Sequence, residues 1–93
     1  MDDQQLLESA SKEQLQDLVA IWTEVPAALR HRPEPGDDEV LARVDRWRLA
    51  TIQVALAKGI TRSMLPGEIQ IDQDLIKALR ENRCNILGGF TPA

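Results

Sequence analysis

The nine residues "LATIQVALA", Leu49 to Ala57, constrain this 93-residue chain more than any other stretch, because only Thr51 and Gln53 among them are polar. They close a segment whose first half is amphipathic. Val40, Leu41, Val44 and Trp47 lie on one side, with Arg43, Asp45, Arg46 and Arg48 around the rest. The three- and four-residue spacing predicts one long central helix over 38–58. A helix that is apolar on every face has to be covered on every face. In so short a chain, either the remaining helices wrap it or part of it meets another chain.

The rest of the sequence is punctuated into helical pieces. Residues 3–31 read as an N-terminal helical arm. It opens with a short helix over Asp3–Ser9 carrying Leu6 and Leu7, followed by Ser11 and Gln14 in a capping-box pattern. Leu15, Leu18, Val19, Trp22 and Val25 then mark the apolar face of a helix over Lys12–Glu24. Pro26 lacks an amide hydrogen and predicts a stop or kink, with a single turn "PAALRH" after it. Two prolines make "RPEPG", residues 32–36, a stiff linker, and Asp37 and Asp38 are suited to cap the helix that follows. Gly59 is the expected left-handed residue ending the central helix. Asp72 caps a C-terminal helix over 73–87, with Leu75, Ile76 and Leu79 on its apolar face and Gly88 at its end. Residues 88–93, "GGFTPA", read as a mobile tail. Ile69, Gln70 and Ile71 alternate as a short extended piece does, but one such piece makes no sheet. The fold class expected is all-α, a single domain built as a small bundle of about four helices.

Composition narrows the functions. Fifteen acidic side chains against eleven basic ones give a net charge of −4, the wrong sign for binding phosphate backbones. The basic sets, "RHR" at 30–32 and Arg43, Arg46 and Arg48, are short, and Glu39 and Asp45 interleave with the second. No apolar run approaches the roughly 20 residues that span a bilayer. The N-terminus opens with acids rather than a basic and then apolar leader, which leads us to expect a cytoplasmic protein. Cys84 is the only cysteine, so neither an internal disulfide nor a thiolate metal site is available. His31, the sole histidine, sits between two arginines. "LGG" at 87–89 is too short to cradle phosphate, and the "DDE" run at 37–39 is explained by capping. We therefore expect no catalytic residue, no metal ligand set and no cofactor.

Two stretches resemble known motifs. In "VALAKGITRSMLPGEIQ", residues 54–70, Ala55, Gly59, Ile60 and Leu65 resemble the small, turn and apolar positions of a DNA-binding helix-turn-helix. Pro66 and Gly67 fall inside the length that a recognition helix requires. Residues 56–87, "LAKGI" and then "PGEIQIDQDLIKALRENRCNIL", resemble the closing part of the docking domains at the N-termini of some natural-product synthase subunits. Leu75, Leu79, Arg80, Arg83, Ile86 and Leu87 carry that spacing. The resemblance implies a role in binding another protein, although the strand pair that binds the partner in that family has little counterpart here.

The sequence thus points to a non-enzymatic protein-binding module: an adaptor, an assembly factor or a small inhibitor. A DNA-binding regulator using 54–70 is the alternative, and a subunit of a homo-oligomer, such as a homodimer, is a further one. Leu49, Ile52, Val54 and Leu56 point in different directions around one helix, while only about three other helices are available to cover them. The partner surface is therefore expected where this helix meets the last one, formed by Leu49, Ile52, Val54, Leu56, Ile76, Leu87 and Phe90. For nucleic acid, the expected result is weak, sequence-independent association with duplex DNA that disappears by physiological salt, measured by fluorescence anisotropy across a salt series.

Overall fold

Apolar residues at helical spacing form four α-helices in the computed structural model, which describes residues 2–91. They are α1 (Asp3–Ser9), α2 (Lys12–His31), α3 (Asp37–Ala57) and α4 (Gln73–Arg80), with a 3₁₀ turn at Arg62–Met64 between the last two. The architecture is all-α. Among the described residues there is no strand, and a single backbone bridge pairs Cys84 with Phe90. The long helices α2 and α3, joined by the linker, form the main contact, and α1 and α4 pack against them. Trp22 is fully buried at the centre, its ring 5.1 Å from that of Trp47 and tilted by 59°. Its indole N–H donates to the Ile86 carbonyl at 3.1 Å, so the one polar atom of the ring is satisfied inside the core. Thr51, the polar exception in the apolar run, is also fully buried and donates its hydroxyl to the Trp47 carbonyl at 2.7 Å.

Local signals set most helix ends. Asp2 and Gln5 form a complete capping box at α1, with Gln5 N–H donating to Asp2 at 2.8 Å and Asp2 N–H donating to Gln5 at 3.2 Å. At α2 only half of the expected box forms, the Ser11 hydroxyl accepting from Gln14 N–H at 3.1 Å. Gly59 ends α3 as expected, in the left-handed region at φ 80°. Ile60 N–H then reaches back to the Ala55 carbonyl and Gly59 N–H to that of Leu56, which is a Schellman closure with Ile60 tucked into the core.

Three expectations are corrected. First, α2 does not stop at Glu24 but runs through Pro26 to His31. Proline inside a helix costs about 3 kcal/mol. Val25 and Leu29 continue the apolar face on either side of it and are buried, at roughly 1.5–3 kcal/mol each, which outweighs that cost. Second, α3 begins at Asp37, one residue early, with Gly36 at φ 89° in the capping position, so Asp37 and Asp38 lie within the first turn and do not cap it. Third, the helix expected over 73–87 ends at Arg80. Asn82 adopts φ 57°, and a second Schellman closure forms as Asn82 N–H donates to Leu79 at 3.2 Å and Arg83 N–H to Ala78 at 2.8 Å. The turn returns Cys84 and Ile86 to the core. Gly88 is a turn residue, not the helix end. Its N–H donates to the Asn85 carbonyl at 3.0 Å, Asn85 N–H donates to Gly89 at 2.9 Å, and the Asn85 side-chain oxygen accepts from Leu87 and Gly89. The part of the expected tail up to Phe90 is thereby folded back onto Cys84, while Pro92 and Ala93 lie outside the described residues.

Cations of α3 and α4 meet the carbonyl ends of neighbouring helices. Lys58 donates to the Glu8 and Ala10 carbonyls at 2.6 and 2.9 Å at the end of α1. Arg80 donates to the Arg32 carbonyl at the end of α2 at 2.7 Å, and Arg43 donates to Leu79 near the end of α4 at 3.1 Å. The proline account is testable by urea unfolding followed through tryptophan fluorescence. Pro26→Ala restores a helix N–H and is expected to stabilise by about 1–2 kcal/mol, whereas Leu29→Ala is expected to destabilise by about 2–5 kcal/mol.

Candidate functional site

Of the four α3 residues expected to point in different directions only Val54 does so: Leu49, Ile52 and Leu56 follow one another at three and four residues and lie on a single stripe of the helix. Leu49 and Leu56 are 49 % and 66 % exposed, and Ile52 is half-buried. Beside Ile52 and Leu56 an apolar groove of about 270 Å³ opens. Val19 of α2 supplies one wall, Ala55 and Ile60 lie at its base, and Thr61, Arg62 and Leu65 close the far side. This geometry follows from the end of α3. The left-handed Gly59 folds Ile60 back over Ala55, and the 3₁₀ turn then carries Arg62 and Leu65 alongside the helix instead of away from it. Met64, on the same turn, is 52 % exposed.

The seven residues expected to form a partner surface are divided by the fold. Ile52 and Leu56 meet in the groove, and Leu49 lies on the same stripe outside it. Val54 and Ile76 are core residues, 7 % and 3 % exposed, and are withdrawn from the surface. Val54 faces α1, beside Gln4, Glu8 and Lys58, and the eight-residue α4 turns Ile76 inward together with Leu75, Ala78 and Leu79. Leu87 is half-buried and Phe90 exposed, both in the C-terminal turn and neither lining the groove. The open apolar surface therefore lies between α2, α3 and residues 60–65, not where α3 meets α4. Sequence reasoning missed Val19, Ile60 and Leu65. The neighbouring pair Met64 and Leu65, apolar in an otherwise polar loop just after a helix-ending glycine, was the available signal.

The same segment bears on both resemblances. After Gly59 the chain forms one three-residue 3₁₀ turn and no further helix before Gln73, so residues 54–70 present no recognition helix. Ile86 and Leu87 lie beyond α4, and the described residues contain no strand pair.

Charge is sparse around the groove. At the N-terminal end of the stripe Asp45 and Arg48 pair at 3.2 Å. At the other end Arg62 lines the groove and, among the described residues, has no ion-pair partner. The strongest electrostatic cluster is elsewhere and ties the linker to α4. The Arg80 guanidinium grips both Asp37 carboxylate oxygens at 3.1 Å and also meets the Glu34 carboxylate, while Asp37 accepts from the Glu34 N–H at 3.0 Å. These hydrogen bonds, that of Arg80 first, hold the Asp37 carboxyl below its ordinary value, and the same contact raises Arg80. The clasp uses its donors and acceptors on one another and is structural. Burial pushes the Cys84 thiol up to about 11, so at neutral pH it stays protonated, donating to the Asn85 carbonyl at 3.3 Å, and is no nucleophile. Among the described residues no group of three or more His, Cys, Asp or Glu side chains is placed to hold a metal. Among the described residues no helix is long and apolar enough to cross a membrane.

The fold defines a small all-α bundle with an apolar groove on its α2–α3 face. No family model, no curated protein and no solved structure matches the chain.

The clasp makes a pH prediction. A carboxyl whose pKa is lowered on folding stabilises the folded state above its unfolded value, near 3.8, and that contribution is lost as pH falls through the folded value. Asp37→Asn is therefore expected to cost roughly 2–3 kcal/mol at pH 7. The wild-type and variant unfolding curves should converge as the pH is lowered below about 4.

Proposed function

We propose that this chain is a non-enzymatic protein-binding module, an adaptor or assembly subunit whose apolar groove receives the apolar face of a helix from another polypeptide. The observation that carries the reading is the exposure of Leu56 at 66 % on the rim of a groove with almost no polar lining. Isolated exposed leucines are ordinary, but Ile52, Leu56 and Leu65 line one groove and Leu49 continues the same stripe of α3. Contiguous apolar patches of a few hundred Å² on small proteins usually mark interaction sites. A stripe spaced three and four residues apart is the pattern by which one helix seats against another.

The test places a photo-crosslinking amino acid at position 65 and irradiates in cells. The expected result is a covalent adduct with another polypeptide that Leu56→Asp removes, while circular dichroism and thermal melting of that variant stay close to wild type, because an exposed leucine tolerates charge. Adducts that persist undiminished in Leu56→Asp would overturn the reading.

A further inference from the structure

We infer that the helix received by the groove is α3 of a second copy of this chain, packed antiparallel about a two-fold axis passing beside Ile52. The inference rests on the groove reading above and names its occupant. A two-fold contact uses the same patch on both copies, so each feature must find its complement elsewhere on that patch. The α3 stripe meets this requirement in shape and in charge.

Asp45, Leu49, Ile52 and Leu56 are separated by four, three and four residues, a heptad-like seam along one side of the helix. At 1.5 Å per residue, Leu49 lies about 4.5 Å from Ile52 in one direction and Leu56 about 6 Å in the other. An axis at Ile52 therefore brings Leu49 of the second copy level with Leu56 and the groove of the first, and the reverse contact forms with it. Leu49 is half exposed and lines no part of its own groove, so it is free to enter the other.

Asp45 ends the seam about 10 Å before Ile52, and Arg62 lines the groove beyond it, past the end of α3. Reversal about Ile52 carries Asp45 of one copy past Leu56 of the other, toward the groove that Arg62 lines, so that the two opposite charges can pair twice per dimer. Arg62 has no ion-pair partner among the described residues of its own chain. Asp45 already pairs with Arg48, but the Asp45 side chain is 60 % exposed, and such a pair contributes little by itself. A carboxylate has acceptor sites for both guanidinium groups.

Sedimentation velocity from micromolar to millimolar concentration tests the proposal. The wild-type chain is expected to form dimers. Leu49→Asp and Leu56→Asp should each be monomeric with an unchanged helical spectrum. Asp45→Arg and Arg62→Asp should each weaken the dimer several-fold, and combining them should restore most of the affinity, since the ion pair is re-formed with its signs exchanged. A wild-type chain that stays monomeric at millimolar concentration overturns the inference, as does a dimer that survives both aspartate substitutions. Either failure leaves the groove reading to the crosslinking experiment. An adduct there with a different polypeptide would keep the groove as a binding site while removing the second copy as its occupant.

Discussion

Two of the four helices are too short to stand without help, and the cations that cross between helices are what tie them in. An isolated helix of seven or eight residues, the lengths of α1 and α4, is unstable in water because nucleation costs more than so few hydrogen bonds return. Lys58 reaches from the end of α3 to the last carbonyls of α1, and Arg43 from the first half of α3 to the Leu79 carbonyl near the end of α4. Arg80, at the end of α4, closes on the terminal carbonyl of α2 and on Asp37 and Glu34 of the linker region. The bonds to Glu8, Ala10 and Arg32 join a positive side chain to the negative end of a helix and satisfy carbonyls that the helix itself leaves unbonded, while Arg43 gives the Leu79 carbonyl a second donor beside Asn82 N–H. Hydrogen bonds of this charged kind are worth roughly 1.5–3 kcal/mol each. Together with Trp22 and the leucines around it, they orient the short helices on the α2–α3 pair.

The open groove is a consequence of that arrangement. α3 offers apolar side chains all round over Leu49–Ala57, and the rest of the chain covers it from only some directions. α2 takes Val40 and Val44 into the core, and α1 sits beside Val54. α4, held by Arg43, lies against the earlier part of α3. No helix remains for the stripe of Leu49, Ile52 and Leu56. The segment after Gly59 covers it partially, and because that segment contains only a 3₁₀ turn it forms a wall and not a lid. The exposed leucines are thus what is left when two short helices share the covering of a longer apolar one.

Much of the secondary structure was legible in the chain because its signals act within a few residues. The spacing of Leu15, Leu18 and Trp22, the Ser11 and Asp72 caps, and the helix-ending Gly59 depend on neighbours one to four positions away, and each appears where that local chemistry puts it. The fold class followed from the same signals. So did the difficulty of a recognition helix after Gly59, since Pro66 and Gly67 disfavour helix wherever they stand.

What depended on distant residues was settled only by the tertiary structure. Pro26 is a local stop signal overruled by the burial of Leu29, and Asp37, suited by sequence to cap α3, is instead clasped by Arg80, 43 positions along the chain. α4 ends at Arg80, with the left-handed Asn82 just after it, and not near Gly88, because the chain has to turn there for Ile86 to reach Trp22. The division among the apolar residues of α3 and α4 has the same origin. Val54, Leu56 and Ile76 are equally apolar in sequence, yet two are buried and one is two-thirds exposed, because burial is decided by which other helix falls against each face. The sequence by itself determined that this chain is helical, where most of its helices begin and that the second half of α3 is apolar nearly all round. Which side stays open was decided by packing, since residue spacing records the direction of a side chain but not the presence of a neighbour.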